Sequence, residues 1–242
     1  MIAQILFVIV FSAAVFFFTR NVRKIIRNIN LGRDEKIIGD TSKRWSVLLR
    51  VALGQSKMLT KPIAGIFHVI IYAGFIIINT EILEIIIDGI FGTHRIFSHI
   101  LPSPIYSFII FVYEILAAGT IVAAVVFLYR RYVMKLPRFK SSDLDGWPKK
   151  DATIILIFEL VLMFLFLSMN AADYLLQLKG AEHYVKAGMF PVSEYIFSPL
   201  YSSLSVSGLE IVKMYITTNN VATAVIKKVV VAPNLNQISP AN

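Results

Sequence analysis

The chain has 242 residues, of which 57% are hydrophobic and only 16% charged, whereas a soluble domain carries about 25% charged residues. This composition excludes a water-soluble globular protein. Lysine and arginine outnumber aspartate and glutamate by 24 to 15, which gives a formal net charge of +9. The chain has no cysteine, so it supplies no disulfide, no thiolate ligand to zinc or to an iron–sulfur cluster, and no cysteine nucleophile.

Four stretches are long and apolar enough to cross a bilayer core, which requires roughly 20 predominantly apolar residues in a helix. They cover residues 2–18, 62–80, 104–129 and 151–170. The first stretch has no basic residue ahead of it, so we expect a retained anchor and not a cleaved secretory signal. The pattern predicts an all-α integral membrane helical bundle with four transmembrane helices.

The apolar pattern weakens after the fourth stretch. Residues 171–190 are predicted to form an interfacial helix and loop, and residues 191–210 are interrupted by proline, glycine and serine. Residues 211–231 mix lysine, threonine and asparagine into a β-branched stretch, so we expect a fifth transmembrane helix to be weak or missing. We therefore divide the chain into a transmembrane domain, 1–210, and an atypical tail, 211–242, which we expect to be disordered or truncated.

Basic residues concentrate on one side of the predicted bundle. Eleven lysines and arginines lie between residues 19 and 61 and seven between residues 130 and 150, whereas residues 81–103 contain Arg95 alone. By the positive-inside rule the two basic segments face the cytoplasm, which predicts an inner (cytoplasmic) membrane protein with its N-terminus outside. We interpret the basic excess as a topology signal, and we expect contact with the lipid bilayer and no nucleic-acid partner.

Three ionisable residues, His68, Glu114 and Glu159, lie well inside the predicted spans. An ionisable side chain facing hydrocarbon costs ~2.5–3.5 kcal/mol on insertion scales, so each of them is a candidate functional residue. One hypothesis for His68 is an axial ligand to haem iron, with Gly65 and Gly74 leaving clearance for a flat macrocycle. The alternatives are a hydrogen-bonded structural histidine or a proton relay, and the same glycines would equally allow close helix packing.

The other three histidines, His94, His99 and His183, are predicted on the opposite side of the membrane. His94 lies about 39 Å from His68 along a continuous helix, so the two side chains cannot ligate one iron. These three histidines could serve a second haem, with Arg95 paired to a propionate, although loop histidines are more often simply solvated.

The carboxylates have two interpretations. Glu114 and Glu159 could carry protons beside a quinone site, or they could be hydrogen-bonded within the bundle; we favour hydrogen bonding for Glu114 and leave Glu159 open. Polar residues near the outer ends of the spans are interpreted as interfacial. They are Asn79, Asn170 and Asp173, and the acidic face formed by Glu81, Glu84 and Asp88.

Residues 50–68 carry the most specific pattern, R-x-A-L-G-Q-x-K-M-L-x-K-P-x-A-G-x-x-H, which ends at His68. With this pattern the chain resembles the membrane domain of iron–sulfur oxidoreductases related to heterodisulfide reductase and the nitrate reductase gamma subunit, in the form found in Bacteroidetes-type bacteria. Further resemblance appears in the fourth span, its exit and the FPVSEYIFSPLYSSLS stretch, so that it covers about residues 1–210.

The resemblance implies a membrane anchor that binds haem b and passes electrons between the membrane quinone pool and a cytoplasmic iron–sulfur protein or domain. Only His68 matches a haem ligand of that family. The family pattern continues with a fifth span that carries tryptophan and histidine, and this chain departs from it after about Glu210, so we expect a C-terminal truncation. Signatures of soluble enzymes are absent from the sequence, so we expect an electron-transfer subunit that is not catalytic alone.

A hypothesis from a different class is a non-redox membrane scaffold or small transporter, in which His68 and Glu159 form a buried pair. That hypothesis predicts a protein without a chromophore, and a loss of folding when either residue is changed. The electron-transfer hypothesis predicts haem absorption bands that depend on His68.

Overall fold

The structure is a computed structural model and describes residues 2–32, 39–54, 62–134 and 147–230. Within these ranges the chain forms eight α-helices and no strand. They are α1 (Ile2–Ile29), α2 (Thr41–Leu48), α3 (Pro62–Phe91), α4 (Ile96–Ile100), α5 (Ser103–Tyr132), α6 (Trp147–Leu178), α7 (Ser198–Tyr201) and α8 (Val206–Val230). Single π-helical turns follow α2 (Leu49–Leu53) and precede α7 (Ser193–Phe197). The expected disorder of residues 231–242 falls outside the described residues, as does the 55–61 part of the family-like pattern.

Four of these helices are long and apolar enough to cross a membrane: Gln4–Ile29, Pro62–Phe91, Ser103–Tyr132 and Lys150–Leu178. Each is dominated by leucine, isoleucine, valine and phenylalanine, and a helix satisfies its own backbone hydrogen bonds without help from water. The prediction of an all-α bundle with four helices able to span a membrane is therefore confirmed. Many of their large apolar side chains face outward, as expected of surfaces that meet lipid.

The long helices pack in a closed order around the bundle. Helix α3 packs against α5, α5 against α6, α6 against α8, α8 against α1, and α1 against α3. Side-chain contacts set the directions, since Phe7 near the start of α1 meets Gly89 near the end of α3, and Thr80 of α3 meets Tyr113 of α5. Helices α1 and α3 are therefore antiparallel, and so are α3 and α5.

This arrangement gives the bundle two chemically different ends. We call the end that carries the C-termini of α1 and α5 and the N-termini of α3 and α6 the basic end, because both lysine- and arginine-rich segments lie there. We call the other end the acidic end. It contains the last turns of α3 and α6, the first turns of α5 and α8, helix α4 and residues 179–205.

Helix α6 is longer than the apolar stretch in the sequence indicates. It continues to Leu178, eight residues past the predicted end of the span at residue 170. Asn170, at the end of the predicted span, and Asp173, in the extension, are both fully buried. The sequence interprets both residues as interfacial; the structure adds that polar partners on neighbouring segments bind their side chains inside the bundle.

Helix α8 crosses the predicted boundary at residue 210 without a break, running from Val206 to Val230. It is not one of the four strongly apolar helices, yet it packs along α6 through the buried side chains of Leu209 and Ile216. The polar residues Lys213 and Asn220, which weaken the hydropathy signal, also contact α6, through Asp173 and Met169. Sequence hydropathy misses such a helix because its polar positions are satisfied by another helix.

The contact between α1 and α3 generates a prediction. A β-carbon at Gly89 would lie 2.3 to 2.5 Å from three ring atoms of Phe7, whose side chain is buried. We expect Gly89→Ala to destabilise the folded protein by about 1–3 kcal/mol, because an overpacked contact must open. Thermal unfolding in detergent, followed by circular dichroism, measures the change.

Two variants control this experiment. In the double variant Phe7→Ala/Gly89→Ala the clash is gone, so the two changes should be clearly non-additive. Gly208→Ala adds a β-carbon that meets its neighbours at 3.4 Å or more, so we expect little effect on the unfolding temperature. Equal destabilisation by Gly89→Ala and Gly208→Ala would contradict the described α1–α3 contact.

Candidate functional site

His68 lies in the second turn of α3, near the basic end, and its side chain is half-buried. Among the described residues, no hydrogen bond or ion pair joins its imidazole to another side chain. Gly65, one helical turn earlier, is buried. The ligand roles of His68 and Gly65 stay predictions, but a histidine on a spanning helix without an internal partner differs from the hydrogen-bonded structural histidine considered above.

Gly74 lies where α3 meets α5. A β-carbon at this position would lie 2.7 Å from the hydroxyl oxygen of Thr120, so the missing side chain lets the two helices approach. Closer to the basic end, the rings of Phe67 and Phe127 pack edge to face with centroids 6.4 Å apart. In the structure, then, the small surface at Gly74 is occupied by a neighbouring helix, and its role as clearance for a macrocycle stays a prediction.

The other three histidines lie at the acidic end, as the sequence predicts. His99 and His183 are exposed, whereas His94 is largely buried and bonded to Asp173. None of them is at the end of the bundle that contains His68. The chain's own residues can therefore supply one imidazole to an iron at the basic end, and not two.

Glu159 is buried in α6, with 3% of its surface exposed. Helix α5 lies between α3 and α6 in the packing order, so Glu159 and His68 sit on helices that are not neighbours. The packing order therefore does not favour the buried pair of the scaffold hypothesis, which stays a prediction.

A network of buried polar side chains occupies the acidic end, and Arg95 is at its centre. We call this network the Arg95 cluster; it comprises Glu81, Glu84, His94, Arg95, Tyr106, Glu114, Asn170, Asp173 and Lys213. Arg95 itself lies between α3 and α4, is 6% exposed and has a left-handed backbone conformation with φ of 50°. This conformation is uncommon for a residue other than glycine, and here Asp88 stabilises it by accepting the backbone N–H groups of Arg95 and Ile96.

The guanidinium of Arg95 bonds to two helices at once. Its Nε donates to Asp173 Oδ2 at 2.7 Å and its Nη2 to Asn170 Oδ1 at 3.1 Å, both on α6. Its Nη1 donates to the hydroxyl of Tyr106 on α5 at 3.0 Å and lies 3.7 Å from Glu81 on α3. Burial by itself would lower the pKa of Arg95, but Asp173, Tyr106 and Glu81 together outweigh it and raise the pKa well above its usual value.

Asp173 contacts both cationic side chains of the Arg95 cluster, Arg95 and Lys213. Besides Arg95, it accepts hydrogen bonds from Lys213 on α8, from Gln177 one turn further along α6 at 3.0 Å, and pairs with Nε2 of His94 at 2.7 Å. Lys213 also lies 4.3 Å from the centroid of the Tyr184 ring. One carboxylate thereby joins α6 to α8 and to the loop that contains His94 and Arg95.

Two further carboxylates accept hydrogen bonds from the polypeptide around them. Glu84 accepts from the hydroxyl of Tyr106 at 3.0 Å and from the backbone N–H of Phe97 at 2.9 Å. Glu114 accepts the side-chain amide of Asn170, the hydroxyl of Ser193 and the backbone N–H groups of residues 192 and 193 at the start of the π-helical turn. The expectation that Glu114 is hydrogen-bonded within the bundle is confirmed.

Sequence reasoning assigns the members of the Arg95 cluster to other roles. It places Glu81, Glu84 and Asp173 at the interface, and it pairs Arg95 with a haem propionate. In the structure Arg95 and His94 are instead engaged by Asp173. A signal was available, because one arginine is alone in its loop while several acidic residues lie at the same end of three apolar helices.

Comparisons with known proteins give one match that bears on function. Over 142 residues the chain is 30% identical to the probable iron-sulfur-binding oxidoreductase FadF of Bacillus subtilis (strain 168), a match that covers 59% of this chain and 20% of the relative. The matched part of the chain thus spans only 20% of the length of that relative. No family model and no solved structure matches the chain. The similarity relates the chain to an iron–sulfur oxidoreductase and supports a redox-related role.

Asp173 provides a test of the Arg95 cluster. Asp173→Asn keeps the shape of the side chain and removes the charge that faces Arg95 and Lys213, so we expect destabilisation of about 3–5 kcal/mol. Chemical denaturation in detergent measures the loss. Glu182→Gln removes an exposed carboxylate from the same end and should change stability by less than about 0.5 kcal/mol. Similar stability of the two variants would show that the cluster is not formed.

His94 provides a second test, through pH. Burial lowers the pKa of His94 below its ordinary value of 6.5, and the hydrogen bond with Asp173 opposes this only in part. In the unfolded chain this histidine therefore takes up a proton at a higher pH than in the folded protein. The contribution of His94 to stability is complete above pH 6.5 and is lost as the pH falls towards the pKa of the folded state.

We expect the unfolding temperature to decrease as the pH is lowered from about 7.5 to about 5.5. His94→Gln should reduce the slope of unfolding temperature against pH. Thermal unfolding at several pH values measures it. His99→Gln, a change of an exposed histidine in α4, should leave the slope as it is. An unchanged slope in His94→Gln would assign the acid sensitivity to other groups.

Proposed function

We propose that this chain is the membrane anchor and haem b electron-transfer domain of an iron–sulfur oxidoreductase, linking the membrane quinone pool to a cytoplasmic iron–sulfur module. The observation that carries the proposal is His68, a histidine on a spanning helix whose imidazole has no partner among the described residues. The similarity to an iron–sulfur-binding oxidoreductase supports the redox class. The sequence resemblance around residues 50–68 supports the haem.

The residues at the basic end fit haem ligation through one side chain. A neutral imidazole is a common axial ligand of haem iron, and the side chain of His68 is only half-buried. Gly65 is one turn away on the same helix and carries no side chain that could obstruct the approach. When bound, haem b supplies a one-electron carrier, and His68 orients it and sets its potential.

The orientation follows from charge. We place the basic end in the cytoplasm and the acidic end outside the inner membrane, because lysine and arginine are retained on the cytoplasmic side. His68 is six residues from the start of α3, or roughly 9 Å along the helix, so it lies near the cytoplasmic surface. An electron that reaches His68 is then close to the side on which the iron–sulfur module docks.

The iron–sulfur clusters belong to the partner module in this proposal. The chain contains no cysteine, so the thiolates that hold such clusters come from elsewhere. The quinone reaches the bundle from the bilayer, since many apolar side chains of the long helices face outward. The role of this chain is then to carry electrons between a lipid-soluble and a water-exposed partner, without catalysis of its own.

A difference spectrum tests the proposal. The purified full chain should show the split bands of reduced haem b in a reduced-minus-oxidised spectrum, and His68→Ala should abolish them because the axial ligand is gone. His99→Ala, which removes an exposed histidine at the other end, should leave the bands intact. Bands that survive in His68→Ala, or a properly folded wild-type protein that takes up no haem, would contradict the proposal.

A further inference from the structure

The Arg95 cluster contains more buried negative than positive charge. Four of its carboxyl groups are at most 3% exposed, and they are faced by one buried guanidinium and one partly buried ammonium group. The carboxyl groups are those of Glu81, Glu84, Glu114 and Asp173, and the cations are Arg95 and Lys213. An unbalanced charge inside a bundle is strongly unfavourable, so one or more of these carboxyl groups must be neutral.

The hydrogen bonds distinguish one carboxyl group of the cluster, that of Glu81, from the other three. Glu84, Glu114 and Asp173 each accept at least two hydrogen bonds from side chains or backbone N–H groups. Glu81 accepts none from the described residues, and its Oε2 is buried without any partner. Its Oε1 lies 3.7 Å from Nη1 of Arg95, which is an ion-pair distance and too long for a hydrogen bond.

Arg95 is not available to neutralise Glu81 fully. Three nitrogen atoms of its guanidinium already donate to Asp173, Tyr106 and Asn170. The remaining groups that face Glu81 do not help, because they are Glu84 on the same helix, Tyr106, Tyr113 and Glu114 on α5, and Asp173 on α6. A carboxylate needs donors when it is buried, whereas a carboxylic acid does not, so the surroundings of Glu81 favour the neutral form.

We propose that Glu81 is a proton-binding site inside the bundle, which holds a proton at neutral pH and exchanges it with water at the acidic end. The exchange moves one proton and no electron: the proton leaves a carboxyl oxygen of Glu81, and another returns to it from water. The site is independent of haem and lies at the opposite end of α3 from His68.

Infrared spectroscopy of the full chain tests the site, in a detergent without ester or carboxyl groups because the ester C=O of phospholipids absorbs in the same region as a carboxylic acid. A buried carboxylic acid absorbs in the C=O stretching region apart from carboxylates and amides, so we expect such a band at pH 7. Glu81→Gln should abolish the band, and Glu84→Gln, a change of a neighbouring carboxylate that has its own donors, should retain it. No band at pH 7, a band unchanged in Glu81→Gln, or a band lost in Glu84→Gln would overturn the proposal.

Folding does not obscure this result. Glutamine has the shape of a protonated glutamate, so a correct assignment also predicts that Glu81→Gln keeps the wild-type unfolding temperature at pH 7. Glu81→Asp gives an independent measurement, because a shortened acid should shift the band in frequency without removing it. A band at the wild-type frequency in Glu81→Asp would overturn the assignment to Glu81.

Hydrogen–deuterium exchange tests whether the proton of Glu81 exchanges with water. Transfer into D₂O should shift the C=O band to lower frequency as the Glu81 proton is replaced by deuterium, and time-resolved infrared spectra give the rate. His99→Gln, a change of an exposed histidine at the same end, should show the same shift at the wild-type rate. A band that keeps its H₂O frequency in D₂O would overturn the proposal.

Discussion

The buried guanidinium of Arg95 is the interaction on which the acidic end of the bundle depends. A charge removed from water must be matched by partners, and here the partners come from α3, α5 and α6. Asp173, which balances Arg95, extends the same network to Lys213 on α8. Because the removal of any one partner leaves another charge unmatched, these helices are held in one relative arrangement, which apolar packing in lipid would not specify alone.

The two ends of the bundle have different properties as a result. The acidic end is closed by hydrogen bonds that involve side chains, the turn at Arg95 and the π-helical turn near Ser193. The basic end carries His68, whose imidazole has no partner among the described residues, and no residue of α2 is buried. A rigid acidic end and an uncommitted histidine at the other end suit a protein that binds a cofactor near one membrane surface and is anchored near the other.

Helix α3 connects the two proposed sites. His68 and Glu81 are 13 residues apart on it, which is about 20 Å along a helix. Electron transfer at the basic end and proton exchange at the acidic end would then occur at opposite sides of the membrane on one rigid element. Such a separation is useful to a membrane redox protein, because the oxidation or reduction of a quinone moves protons as well as electrons.

The sequence by itself determined the class of the protein, from its four apolar stretches and the placement of its lysine and arginine residues. Both signals can be read locally, because the free energy of transfer into lipid depends on the composition of a short segment. It also determined that His68 and His94 are at opposite ends, because the length of α3 sets their separation. Tertiary structure alone decided that Asp173 and Glu81 are buried and that α8 joins the bundle in spite of Lys213. Those outcomes depend on partners distant in the chain, since a polar residue is stable inside a bundle only where another helix or loop supplies its hydrogen bond or countercharge, and no local pattern records which one does.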